Sequence, residues 1–336
     1  MSSSQIKLAI NRTFVDGFLS VSMSYSITEF VAGFAVVLLD TPQMSWLRPF
    51  GYEEIAIYYG DELLLTGRIE KVERSQHKSL HIEGRSLPAV LIDASMEMPG
   101  QFHDVDLHML LSELGKPYGL SVVSEIAQLP VYASLTAGVD TKAFAFANCC
   151  AENDNIFLSS SPAGEIILRH YNFTQVHNTF VAGDHGYLDA QVSFDGSQRF
   201  SSLTLVAQSE DNLELRYTID DPSISIHRPL VETAEAPDLA TLEHIAKRRL
   251  ALSIANSIKM SLKLNGWHRS QSADRLLRVG DIIQIEDPSL GLNDRSAFVI
   301  AGLEMTLSSS EMQMSLQLAL PSLYSEEPLE GEHPWQ

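Results

Sequence analysis

From Tyr59 to Ser95 the chain reads YGDELLLTGRIEKVERSQHKSLHIEGRSLPAVLIDAS, and its alternation leaves little choice of local structure. Leu63 and Leu65 alternate into Gly67 and Ile69 follows in phase. The polar run from Glu73 to Ser79 interrupts, and Leu80 and Ile82 then resume the period before Gly84. A period of two on both sides of a polar turn predicts a long β-hairpin. Gly67 sits inside a strand pattern, which predicts a bulge or a sharp bend there. A second, degraded copy lies near the other end of the chain. Phe298 and Ile300 approach Gly302, Leu303, Met305 and Leu307 leave it, and Ser308 to Ser310 turn the chain. Met312, Met314, Leu316, Leu318 and Leu320 return in alternation until Pro321. Upstream, Gly51, Ile55 and Ile57 precede Gly67 as Gly280, Ile283 and Ile285 precede Gly302. Two similar all-β modules in one chain are the expectation.

The remaining segments divide by period. Ile6 to Asp40 is strand-like, with Asp16-Gly17 as a turn between two runs rich in β-branched and aromatic residues. Near Met98 the pattern turns helical. Asp106 can cap a helix lined by Leu107, Leu110, Leu111 and Leu114, and Phe144, Ala147 and Ala151 share one side of a second helix. A hairpin follows across the turn ending at Gly164. Pro237-Asp238 starts a helix with Leu239, Leu242, Ala246 and Leu250 on one stripe, and Lys247, Arg248 and Arg249 are read as a solvated face that complements its dipole.

The fold class expected is mainly β with α+β: two similar antiparallel β-barrel-like modules plus an inserted α+β domain. Residues 1–97 with 192–220 make the first module, with Leu203, Leu205 and Ala207 as its returning strand. Residues 98–191 make the inserted domain, 221–325 the second module with a helix over 238–256, and 326–336 an acidic tail ending near Trp335.

A chain of 336 residues can form two or three domains, each with its own core. Its 43 acidic against 23 basic residues leave a net charge of -20, which repels nucleic-acid phosphates and disfavours a DNA-reading module. The longest apolar run, Ala35 to Leu39, is far below the ~20 residues needed to span a bilayer, and neither a signal peptide nor an anchor is expected.

No catalytic, cofactor-binding or metal-binding residue emerges, and an enzyme is not expected. His103, Asp104, Asp106 and His108 cluster where a helix starts, with no metal-ligand spacing. The adjacent Cys149 and Cys150 suit neither a disulfide nor zinc. Asn153-Asp154-Asn155 lacks the glycine and glutamate of a calcium loop, and Gly183-Asp184-His185-Gly186 lacks the Lys-Ser or Lys-Thr of a phosphate cradle.

The stretch from Gly67 to Asp93, read as G-x-I, a charged hairpin, I-x-G-R-S and L-I-D, resembles the signature of phage tail hub proteins of the Mu-like and P2-like kind. Arg228-Pro229-Leu230, the helix after Pro237, Asn265-Gly266-Trp267, Val279-Gly280-Asp281 and the closing Leu318 to Tyr324 follow in the order those proteins show. The resemblance implies a structural component of a contractile phage or prophage tail baseplate, located in the virion tail and assembled in the host cytoplasm. It implies a homotrimeric ring that adapts a hexameric tail tube to a trimeric central spike. Its partners would be the tube protein, the spike protein and other baseplate proteins, with DNA passing through the lumen without specific binding and no membrane contact. A carboxylate-lined lumen is expected from the acidity. Three other readings remain open: the hub of a type VI secretion-type injection machine, a tail-associated cell-wall hydrolase, and a carbohydrate-binding tail module. The last is disfavoured because Trp46, Trp267 and Trp335 are scattered.

Overall fold

A computed structural model describes residues 6–325 apart from 45–46, 77, 97–99, 139, 172, 185–186 and 209–213. The expected acidic tail, with Trp335, lies outside the described residues.

The N-terminal strands are β1 (Ile6–Ile10), β2 (Thr13–Val15), β3 (Phe18–Ser26), β4 (Gly33–Leu39), β5 (Glu54–Tyr59), β6 (Glu62–Arg74) and β7 (Ser79–Ser86). Next come α1 (Val90–Asp93), β8 (Gln101–Asp106), α2 (Leu107–Gly115), β9 (Val122–Ser124), β10 (Val131–Thr136), α3 (Ala143–Asn153), β11 (Phe157–Ser160) and β12 (Ile166–Arg169). Then follow β13 (Val176–Val181), β14 (Tyr187–Phe194), β15 (Ser202–Gln208), β16 (Glu214–Asp220), β17 (Pro229–Thr233) and α4 (Leu239–Asn256). The chain closes with β18 (Ile258–Asn265), β19 (Ile282–Asp287), β20 (Leu292–Ser308) and β21 (Met312–Ala319).

The predicted hairpin is β6–β7, and the predicted copy is β20–β21. Each belongs to a larger unit with the same strand order. The first runs β3-β4-β7-β6-β5-β1 and the second β14-β18-β21-β20-β19-β13. Corresponding pairs are antiparallel in both, except the last, which is antiparallel for β1–β5 and parallel for β13–β19. Three irregularities recur at matching places. The β3–β4 ladder shifts register at Phe18/Ser20 as β14–β18 does at Tyr187/Asp189. The β6–β7 ladder shifts at Ile69/Lys71 as β20–β21 does at Ile300/Gly302, and β5–β6 shifts after Ile57 as β19–β20 does after Ile285.

These registers correct the glycine alignment read from sequence. Ile55 and Ile283 do correspond, but Gly67 faces Ile55 where Phe298 faces Ile283, so Gly67 matches Phe298 and Gly302 matches Lys71. The connection after β19 is longer, with a 3-10 turn at Pro288–Leu290, and beyond it Gly302 lies on the far side of the β20 bulge whereas Gly67 lies before the β6 bulge. Gly67 is not itself the bulge. A Cβ there would lie 2.3 Å from the Arg85 carbonyl oxygen, and one at Gly84 would lie 1.9 Å from that of Arg68. Both glycines let the two strands approach closely beneath the ring of Phe34.

One hydrophobic core runs through both modules, from Leu8 and Ile55 to Ile283 and Leu316. The α+β unit expected over 98–191 has its own core, where Leu107, Leu110 and Leu111 of α2 meet Ala147 and Ala151 of α3, but it is shorter than expected, because β13 and β14 pair with β19 and β18 in the second module. Asp106 caps α2, its carboxylate accepting from the Met109 amide at 2.8 Å.

Residues 192–220 do not complete the first module. Phe194 and its neighbours in β14 pair with β18, while Leu203, Leu205 and Ala207 in β15 pair with β16 and β17 in a separate sheet. The reason is that β3, the edge a returning strand would need, is already paired with β20. The separate sheet and α4 enclose a third core of Phe200, Leu203, Leu205, Leu242 and Ala246. Leu239, expected on the buried stripe of α4, is exposed.

Gly84→Ala should lower the denaturant midpoint sharply, by an equivalent of about 1–3 kcal/mol or more, because backbone has to move. Gly302→Ala should cost a fraction of that, since its Cβ would meet only the Gln317 side chain, at 3.2 Å. Equilibrium unfolding of the two variants side by side checks this.

Candidate functional site

The feature with the most functional content is the joint between the modules. β20 is 17 residues long, and its first half pairs with β19 while Gly302 to Ser308 pair with β3. Period-two alternation sorts the side chains across this ladder. Leu303 and Met305 lie opposite Tyr25 and Met23 on the core side, whereas Glu304, Thr306 and Ser308 lie opposite Ser24, Ser22 and Ser20 on the other. A polar clasp reinforces the seam. The Glu62 carboxylate of β6 accepts from the Leu276 amide at 3.3 Å and from Arg278 Nη2 at 3.2 Å. The Tyr25 hydroxyl donates to the Leu64 carbonyl at 3.2 Å. Burial pushes the Tyr25 phenol well above its ordinary range, the charge of Arg278 opposing this only in part, so it stays a neutral donor.

The outward face of the joined sheet is polar and rich in small groups. Ser20, Ser22, Ser24, Thr306, Ser315 and Gln317 contribute hydroxyls and amides. Its charges are mixed: Glu73, Glu83, Glu304 and Asp189 against Lys71, Lys259 and Lys263. Lys71 lies between Glu73 at 3.0 Å and Glu83 at 3.2 Å.

The G-R-S motif acquires a role for each residue. Gly84 permits the close strand contact, and the Arg85 guanidinium donates to Glu70 at 2.8 and 2.7 Å and to Asp93 at 2.5 Å. That ties the bulge of β6 to the L-I-D segment. Ser86 Oγ accepts from the Ala32 amide at 3.1 Å and donates to Ser160 at 2.9 Å, fastening the inserted unit to the sheet.

The chemistry-bearing residues singled out in the sequence are not brought together. Among the described residues, no group of three or more His, Cys, Asp or Glu is placed to hold a metal ion. Asp106 is a helix cap and His103 lies in the β8–β10 ladder. Cys150 is buried in α3, with its thiol pushed up by burial, while Cys149 is exposed. Asp154 accepts a hydrogen bond from the Tyr132 hydroxyl. Lys247 pairs with Glu243 at 2.8 Å, Arg249 with Glu232 at 3.2 Å, and Arg248 donates to the Ser322 carbonyl at 2.7 Å. All three are engaged within the chain. They stand mid-helix, because α4 continues to Asn256, so they do not offset its C-terminal dipole as expected.

One buried cluster escaped sequence reasoning. Arg199 donates to Asp221 at 2.5 Å and to Ser223 at 2.7 Å, and Ser223 Oγ donates to Asp221 at 2.6 Å. Arg199 also reaches Ser257 Oγ at 3.4 Å, just before β18, and so locks the small sheet to the second module. The only signal was Asp220-Asp221-Pro222, which reads as a boundary.

Comparison with known proteins gives no matching family model and no match among curated sequences. Solved structures do match. A 43 kDa tail protein of prophage MuSo2 from Shewanella oneidensis aligns with TM-score 0.79 at 17% identity, over 96% of this chain and 99% of that one. A tail protein from Neisseria meningitidis MC58 aligns with TM-score 0.75 at 17% identity, over 96% and 98%. An Escherichia coli component of the type VI secretion system, described as similar to T4 bacteriophage tail proteins, aligns with TM-score 0.53 at 11% identity, over 94% and 76%. The chain has the fold of these prophage tail proteins.

The Arg199 cluster sets a pH dependence. Burial by itself would raise the Asp221 carboxyl, but hydrogen bonds from Ser223 and Arg199 outweigh it and hold it below the usual carboxylate range. The unfolded state therefore binds more protons at acid pH. The stabilisation is present above the unfolded carboxylate value of about 4 and is lost as pH falls through the lower folded value. Asp221→Asn should remove part of this acid sensitivity and, by leaving Arg199 buried without its counter-charge, cost about 3–5 kcal/mol at neutral pH. Thermal melts of both proteins from pH 7 to pH 3 test both effects.

Proposed function

We propose that this protein is the hub of a phage or prophage tail baseplate: three copies form a ring that joins a sixfold tail tube to a threefold central spike. One observation carries the reading: a single chain holds the same strand order twice, with its bulges at matching positions, and joins the two copies through one ladder. Two alike modules per chain let three chains present six near-equivalent faces. A tube with six subunits can stack on those faces, while the α+β units retain threefold spacing for the spike. The fold shared with prophage tail proteins along nearly the whole of both chains supports this reading. It favours a tail over a type VI machine, since the Escherichia coli component of that system aligns less well.

The role is mechanical and needs no bond-making chemistry. Partners are the tube protein above, the spike below and other baseplate proteins around the ring, and the site of action is the virion tail, assembled in the host cytoplasm. With the outward sheet face lining the lumen, the bore would be hydroxyl-rich with mixed charge rather than a wall of carboxylates alone. Serine, threonine and amide groups offer passing DNA hydration, and lysines of this face stand beside carboxylates, Lys71 between Glu73 and Glu83 and Lys263 opposite Asp189, so the duplex slides without being held.

Purified protein should have a solution mass three times that of the 37.2 kDa chain and keep it on dilution to micromolar concentration, as an interface above ~2,000 Å² would require. A persistent monomer in sedimentation or light scattering would sink the ring. A cell-wall degradation assay separates the hydrolase reading, and the hub reading expects no release of wall fragments.

A further inference from the structure

We infer that the seams between copies repeat the pairing that joins the modules within a chain: β14 of one copy lies antiparallel along the second half of β6 of the next. The inference rests on the trimeric reading above and supplies its contact. Within the chain, β3 covers the edge of β20 from Gly302 to Ser308. By the strand order, the counterpart of β3 is β14 and the counterpart of β20 is β6. Those two counterparts hold the complementary open edges. β14 ends the large sheet, and beyond Arg68 β6 pairs only with β7 among the described residues.

The observed register transfers residue by residue. Gly302↔Ser26, Leu303↔Tyr25, Glu304↔Ser24 and Met305↔Met23 become Lys71↔Asp195, Val72↔Phe194, Glu73↔Ser193 and Arg74↔Val192 between copies. The side chains suit those neighbours. Lys71 meets a carboxylate, and Val72 meets a ring on the core side, as Leu303 meets Tyr25. Exposure points the same way: Phe194 is 52% exposed in the single chain, whereas Leu303, on the seam already made, is 4% exposed. An open strand edge beside an exposed apolar ring is a surface suited to pairing. Because β14 and β6 are different surfaces, the contact is head-to-tail, and it closes when three chains complete six module-to-module steps.

The test is cross-linking of the full chain carrying Cys149→Ser. Glu73→Cys with Ser193→Cys places thiols on directly opposed, exposed positions, and mild oxidation should convert most of the protein to a covalent trimer on a non-reducing gel. Glu304→Cys with Ser24→Cys, opposed in the observed register, should close within one chain and leave the mass at one copy. Glu73→Cys with Val192→Cys, one residue out of register and on opposite faces, should give at least about tenfold less linked product. Phe194→Glu should abolish the trimer while leaving the thermal unfolding of the chain in place. A trimer by mass that fails to link through Glu73→Cys and Ser193→Cys, while the internal control links, overturns the seam and leaves the hub reading standing. A monomer by mass overturns both.

Discussion

The ladder between β3 and β20 is the contact on which the architecture depends. It turns two separate β units into one 13-stranded sheet and merges their interiors, so that Val21, Met23, Leu303 and Met305 belong to the same core as Ile55 and Ile283. Each such aliphatic side chain contributes about 1.5–3 kcal/mol when fully buried, and the row exists only because the edges meet in register. A slip of one residue would turn this row to the polar face and bring Ser20, Ser22 and Ser24 inward. The Glu62 clasp to Leu276 and Arg278 opposes such a slip, since it spans both modules at fixed separation.

The two modules keep their backbone plan while exchanging the residues that fill it. In the first, the ring of Phe34 on β4 lies over Gly67 and Gly84. The matching positions in the second are Met260, Phe298 and Leu318, so the aromatic volume moves across the intervening strand and the glycines become large residues. Total volume between the strands is what packing constrains, and several distributions of side chains satisfy it. Bulges are less free. They set strand direction and twist, and three of them recur at corresponding places, the exception being the shift at Val176/Asn178 in the β13–β19 ladder. Duplication is therefore plain in the ladders and faint in the residues.

The inserted elements follow a simpler rule, since each brings its own core. The α+β unit, which lies between β7 and β13 in the chain, is held through Ser86 and Ser160, and the small sheet with α4 is held through Arg199 and Asp221. Each attachment joins such polar bonds to apolar contacts, Phe30 stacking on Phe144 for the first and Ala255 entering the large core for the second, and the large sheet stays continuous beneath them.

Alternation, turn residues and helix caps were legible from the chain alone: the β6–β7 and β20–β21 hairpins, the Asp106 and Asp238 caps, and the existence of a second β module. These are local properties, set by period two, period 3.6 and side chains that bond their own backbone. Which strand pairs with which was not legible. Leu203, Leu205 and Ala207 alternate as well as any residues in the chain, and nothing in their order says that they pair with β16 and β17 rather than with the first module. Strand partners are chosen by competition for a limited number of open edges. Only the folded chain decides that β20 takes the edge of β3, that Arg199 finds Asp221, and that β14 and the far half of β6 are left open among the described residues.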